Sequence, residues 1–222
     1  MSKGLDHTSV RCGMASSTAA FHTLDPVDSI VFETMLRLLA NEGPERPWEA
    51  LFSAHPNLRE RIDQNDSEML SSLDDATLLF LLSMQRQDDG SRLDVAEGRH
   101  VERFGRFPSE DGCVLTYLLA WMRATQGHEA EHDRLDALLR QLAHGLDIEH
   151  QQASAGAGGL RLHGWLSSED VKDLRTMLMG RCWTVAAEEP LDGGMRDGVT
   201  HLTALLRGAE RRGVGLLHRS HA

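Results

Sequence analysis

The sequence predicts an α+β fold that is predominantly α-helical, with a helical N-terminal region and a small C-terminal unit of helices against a short sheet. Three observations lead there. Apolar residues recur at helical spacing through the first two thirds of the 222-residue chain. A run of Gln, Ala, Ser and Gly over 151–159 then reads as a linker. Beyond it, short apolar runs alternate with capped helical segments. The expected organisation is therefore a flexible arm over 1–23, a helical domain over 24–150, the linker, and a small α+β unit over 160–222. That unit either stands alone or packs as one domain with 24–150.

Taken in order, Asp25-Pro26 reads as a helix start, with Asp as cap and Pro in the first turn. Ile30, Val31, Met35, Leu38 and Leu39 then keep helical spacing until Gly43-Pro44. A short helix carries Trp48, Leu51 and Phe52, and Pro56 starts another with Leu58 and Ile62. After 67–73, Asp74-Asp75 sits at the positive end of a helix containing Leu78 to Leu82, apolar nearly all round and so expected to be central. The polar stretch 85–108, with its Asp88-Asp89-Gly90 break, reads as a connection. Its Phe104 and Phe107 are expected to plug the core while Arg99, His100, Arg103 and Arg106 stay wet. Ser109, Glu110 and Asp111 cap a helix through Met122, and Gly127 separates it from the next.

In the last third, Leu160 to Trp165 reads as a strand. Ser167 caps a helix over 171–179, and Cys182 to Val185 reads as a brief strand. Met195 to Arg212 reads as a helix and Val214 to Leu217 as a closing strand. His218 and His221, near the end, are expected at the solvent.

Composition narrows the function classes. A formal net charge of −11 repels phosphate backbones and anionic lipid, so nucleic-acid and membrane-surface binding are not expected, whereas a protein with a basic surface would be attracted. The longest apolar runs fall far short of a membrane span. Met1 to Thr23 lacks the pattern of a secretory signal, and Met14 is an alternative start. Three widely separated cysteines, Cys12, Cys113 and Cys182, argue against a disulfide framework and for a reducing cytoplasm. With Lys3 and Lys172 the only lysines, the Arg-rich composition suggests a GC-rich bacterial genome.

The most chemically specific segment is His128-Glu129-Ala130-Glu131-His132. On a helix it sets two imidazoles one turn apart on one face, where both reach a single cation while Glu129 orients a metal-bound water as general base. Over these five residues the chain resembles the signature of the zinc-dependent metallopeptidases, the zincins. The resemblance implies zinc on His128 and His132 with Glu129 catalytic. The Gly and third His of metzincins are missing after His132. A gluzincin ligand would be Glu149, which reads as loop after Gly145, and 109–126 reads as helix with no edge strand to hold a peptide. The helical surroundings are more similar to the bundle metal site of DinB-like proteins, and that resemblance implies His55 as third ligand. His100 and His150 are further candidates. The same histidines also begin an ordinary buried stripe with Leu135, Leu139 and Leu142.

No Ser or Cys nucleophile shows an elbow or a partner spacing. Gly193-Gly194, flanked by Asp192 and Asp197, lacks the frame of a phosphate loop. With no complete catalytic constellation and a one-signed charge, the sequence favours a non-enzymatic interaction module that engages a basic protein, such as an immunity or antitoxin-like inhibitor, with no cofactor. The alternative is a metal-dependent hydrolase or bundle-type metalloprotein that holds zinc or another divalent metal on the HEAEH segment.

Overall fold

Asp25 and Asp28 compete to start the first helix, and Asp28 prevails. In the computed structural model Asp28 Oδ1 accepts from the amides of Ile30 and Val31, at 3.0 and 3.1 Å, and helix α1 runs from Ser29 to Leu39. Asp25-Pro26 belongs instead to strand β1, Phe21–Val27, which corrects the sequence expectation. Proline is tolerated there because β1 is an edge strand and its Pro26 need donate nothing to the ladder. Phe21 to Thr23, expected in the arm, are strand as well.

The structure describes residues 20–40, 48–61, 73–87, 91, 93, 105–109 and 111–221. The expectations on Met14, Gly43-Pro44, Ile62, 67–72, Asp88 to Gly90, Arg99, His100, Arg103, Phe104 and Glu110 lie outside them.

After α1 come α2 (Trp48–Ala54), a 3-10 turn (Pro56–Arg61) and α3 (Asp75–Ser83), capped by Asp74 through the Thr77 amide. Helix α4 spans Val114–Trp121, later and shorter than expected. Asp111 accepts from the Cys113 amide, and the chain leaves the helix at Met122 to form β2, Met122–Ala124, where the sequence predicts helix. Helix α5, Glu129–Glu149, passes straight through Gly145. Over 146–149 the expected loop is replaced by helix because one interior glycine costs only about 1 kcal/mol, less than burying Leu146 returns. Strand β3 (Leu160–Leu166), α6 (Ser168–Leu178, capped by Ser167), β4 (Trp183–Val185), α7 (Gly194–Arg212) and β5 (Gly215–His221) follow, close to where the sequence puts them.

The main sheet has the order β1-β5-β3, antiparallel throughout, and β2 pairs with β4 in a small ribbon. Residues from the two ends of the chain are therefore hydrogen-bonded neighbours, with Phe21 opposite His221 and Val27 opposite Gly215. The sheet divides the core. On one face Leu24, Leu166 and Leu216 pack with α4, α5, α6 and α7; on the other Val27, Leu160, Leu162 and Leu217 pack with α1, α2 and α3.

The expected linker is pinned down. Ala153 is fully buried, the Ala157 amide donates to Asp74 Oδ2, and Gly156 sits where a Cβ would meet Asp74 and Thr77. Phe107 packs on the core and Arg106 stays exposed, as the sequence predicts. Among the described residues no helix is long and apolar enough to cross a membrane.

Candidate metal centre

Antiparallel register collects three histidines from three strands. On β5, His218 and Ser220 share a face, because alternate residues of a strand do. His22 on β1 lies opposite Ser220 and Leu24 lies opposite His218, so His22 joins that face diagonally from His218. On β3 the pairing slips. Leu162 lies opposite Arg219 but Gly164 lies opposite His218, so His163 is the extra residue of a bulge. A one-residue insertion exchanges the faces of a strand, and the bulge aims His163 at His218. Helix α5 closes this face, approaching β3 so closely that a Cβ on Gly164 would stand 2.1 Å from the Gln141 carbonyl oxygen.

The rings are in contact. His22 Nδ1 is 2.9 Å from His218 Nε2, and the His163 and His218 centroids are 4.7 Å apart. One nitrogen from each of the three imidazoles lies within 4.8 Å of the others, and among the described residues this is the only such group of three His, Cys, Asp or Glu ligands. His163 Nδ1 is 3.1 Å from Asp147 Oδ2 on α5, which orients the ring and leaves Nε2, 2.8 Å from Ser220 Oγ, facing the cluster. Asp147 is balanced on its other oxygen by Arg161 at 3.6 Å. Cys113, at the start of α4, places Sγ 3.9 Å from His218 Nε2.

Burial sets the electrostatics. His22 and His218 are 5% and 1% exposed, and His163 is partly covered. Burial holds the pKa of His218 well below its ordinary value, reinforced by His163 and His22, while the Leu142 and Ala143 carbonyls oppose the shift. His22 is lowered first by burial and then by His163, against the Asp111 carbonyl and carboxylate; His163 is lowered by burial despite Asp147. Burial likewise pushes the Cys113 thiol up. At neutral pH the site therefore presents neutral imidazole lone pairs, the form that binds metals. His22 Nε2 and His218 Nδ1, the ring nitrogens opposite the pair that face each other, are buried without a well-formed hydrogen bond.

No family model, curated protein or solved structure matches this chain. The chemistry of the site must be read from its own geometry.

The residues singled out from the sequence lie elsewhere. His128 is the exposed residue before α5, 3.7 Å from Glu131, and His132 is half-buried one turn on. Glu129 Oε1 accepts from the Gly127 amide at 3.1 Å, and that bond holds its carboxyl below the usual range. His55 is half-buried between α2 and the 3-10 turn, Glu149 is exposed at the end of α5, and His150 follows it. Among the described residues no His, Cys, Asp or Glu converges with His128 and His132 to make three ligands. The amide at the start of α7 is taken by Glu189, whose Oε1 accepts from Met195 at 2.6 Å. His218, expected at the solvent, is the most deeply buried histidine of the cluster, because β5 is the central strand. One signal is present in the sequence: His163 lies inside one segment that reads as strand, and His218 one residue beyond another.

Proposed function

We propose that this protein binds a divalent transition metal, with zinc the best chemical match, through His22, His163 and His218. The reading is carried by one observation: three imidazoles from three different strands converge in a largely buried site. Imidazole nitrogen suits zinc and its neighbours and is a poor ligand for magnesium or calcium. Asp147 on the far nitrogen of His163 supports the same reading, since metal-bound histidines are commonly oriented by a carboxylate or carbonyl behind them. The metalloprotein alternative from the sequence thus moves from the α5 helix to the sheet. Untagged full-length protein loaded with zinc and dialysed should retain one zinc per chain by elemental analysis. His22→Ala and His218→Ala should retain none. Wild-type protein that emerges metal-free would sink the reading.

The charge of −11 keeps a second reading in view, a non-enzymatic module that docks on a basic protein. Capture of a basic partner that is released by salt supports it; no partner at low salt counts against it.

A further inference from the structure

We propose that Cys113 is the fourth ligand of this centre, making it a closed zinc site of one thiolate and three imidazoles with a structural role rather than a catalytic one. The inference rests on the three-histidine reading above and adds to it a ligand, a metal preference and a role.

The distances around His218 point to a fourth corner at the sulfur. Zinc at its usual bond lengths spaces tetrahedral nitrogens about 3.3 Å apart, and a nitrogen and a sulfur about 3.6 Å apart. His218 Nε2 has a nitrogen neighbour, His22 Nδ1, at 2.9 Å and a sulfur neighbour, Cys113 Sγ, at 3.9 Å. Adjustments of roughly 0.3 to 0.4 Å bring these two distances to those values. Because the sulfur lies outside the 4.8 Å span shared by the three histidine nitrogens, completing the shell also takes a turn of the Cys113 side chain toward the other two rings. As the site loads, zinc exchanges its bound waters for three imidazole nitrogens and the Cys113 sulfur, and the thiol proton goes to solvent.

Access argues the same way. A catalytic zinc keeps one position for water or substrate, whereas His22, Cys113 and His218 are all 5% exposed or less and the His163 side chain is 16% exposed. The Cys113 thiolate would meet one of the two positive charges on zinc inside the buried site, with Asp147, itself paired with Arg161, behind His163. Thiolate among imidazoles disfavours magnesium, calcium and manganese. The ligands come from β1, β3, β5 and the start of α4, so the ion would tie the N-terminal strand to the C-terminal one and to the helix beside them.

Cobalt(II) substitution of the full-length protein tests this, because a thiolate ligand gives a near-ultraviolet charge-transfer band that imidazole does not. The expected wild-type spectrum has that band together with intense tetrahedral visible bands. Cys113→Ser should lose the charge-transfer band and bind zinc more weakly by on the order of 100-fold or more, while Cys182→Ser keeps both. X-ray absorption on the wild-type zinc form should find one sulfur at about 2.3 Å, a readout that needs no variant to fold. Cobalt bound with visible bands but no charge-transfer band, or a band that disappears with Cys182→Ser instead, overturns the role of Cys113 and leaves the three-histidine site standing. Failure of wild-type protein to bind cobalt or zinc at all overturns the metal reading and this inference with it.

Discussion

Single side chains on the two faces of the main sheet carry opposite kinds of polarity. On one face the histidines are neutral; on the other Asp25, fully buried, is paired with Arg219, whose guanidinium also lies 5.0 Å from the centre of the Phe80 ring. Removing one member of a buried pair leaves an uncompensated charge, which costs far more than the pair contributes. Asp25→Ala should therefore destabilise the protein by about 3–5 kcal/mol in urea titration. A loss under about 1 kcal/mol, the range of exposed pairs, would mean that water reaches Arg219. Asp147→Asn asks a different question, because it keeps the shape and removes the charge behind His163. Zinc affinity should fall by about 10–100-fold with little change in the melt of the metal-free protein; equal affinity would show that the carboxylate does not support the ligand. At this scale the sequence is least legible. HEAEH stands out because its histidines are neighbours in the chain, whereas His22 and His218 are separated by 196 positions and meet only through strand pairing. Spacing rules see helix faces; they do not see which strands will be adjacent.

Elements are far more legible, and the departures from expectation have identifiable causes. The helices capped by Asp74 and Ser167 and the strands β3, β4 and β5 can all be read from the chain, because caps and apolar runs are local signals. Asp25-Pro26 misleads because the same dipeptide suits a helix start and an edge strand, and the choice is made by β5, which no local pattern announces. Gly145 misleads because a breaker in isolation says nothing of the burial of Leu146 on its far side. Gly164 shows the reverse, a glycine with a tertiary duty inside a strand. A methyl group there would meet backbone atoms of Gln141 and Leu142 at 2.1 to 2.7 Å, and backbone cannot rotate away. Gly164→Ala should push α5 off β3, at a cost near the upper end of the roughly 1–3 kcal/mol typical of overpacking. Because the adjacent His163 and Asp147 sit on those two elements, zinc affinity should fall as well. An alanine variant with wild-type stability and affinity would show that α5 does not need the close approach.

Across the whole molecule, the sheet that joins the two ends of the chain is built around groups that resist protonation, and this gives folding a defined pH dependence. Burial lowers the pKa values of His22, His163 and His218 in the folded state below the ordinary 6.5 that each regains on unfolding. Above that value both states are neutral and the three contribute nothing to the pH slope. As pH falls below about 6.5 the unfolded chain takes up protons that the native site refuses, so stability is lost down to the folded-state pKa values. Each histidine can contribute at most about 1.4 kcal/mol per pH unit, and three together make a steep slope for a protein of this size. Metal-free protein melted between about pH 7.5 and 5.5 should therefore lose Tm progressively below about pH 6.5, and His218→Gln should flatten the slope. Zinc should act in the opposite direction. At a free concentration about 100 times its dissociation constant it adds about 2.7 kcal/mol to the native state near neutral pH, and the gain should shrink on acidification as protons compete for the same nitrogens. A Tm that is flat across that range, or a zinc-induced rise that survives unchanged at its acid end, would contradict a folding core built on neutral imidazoles.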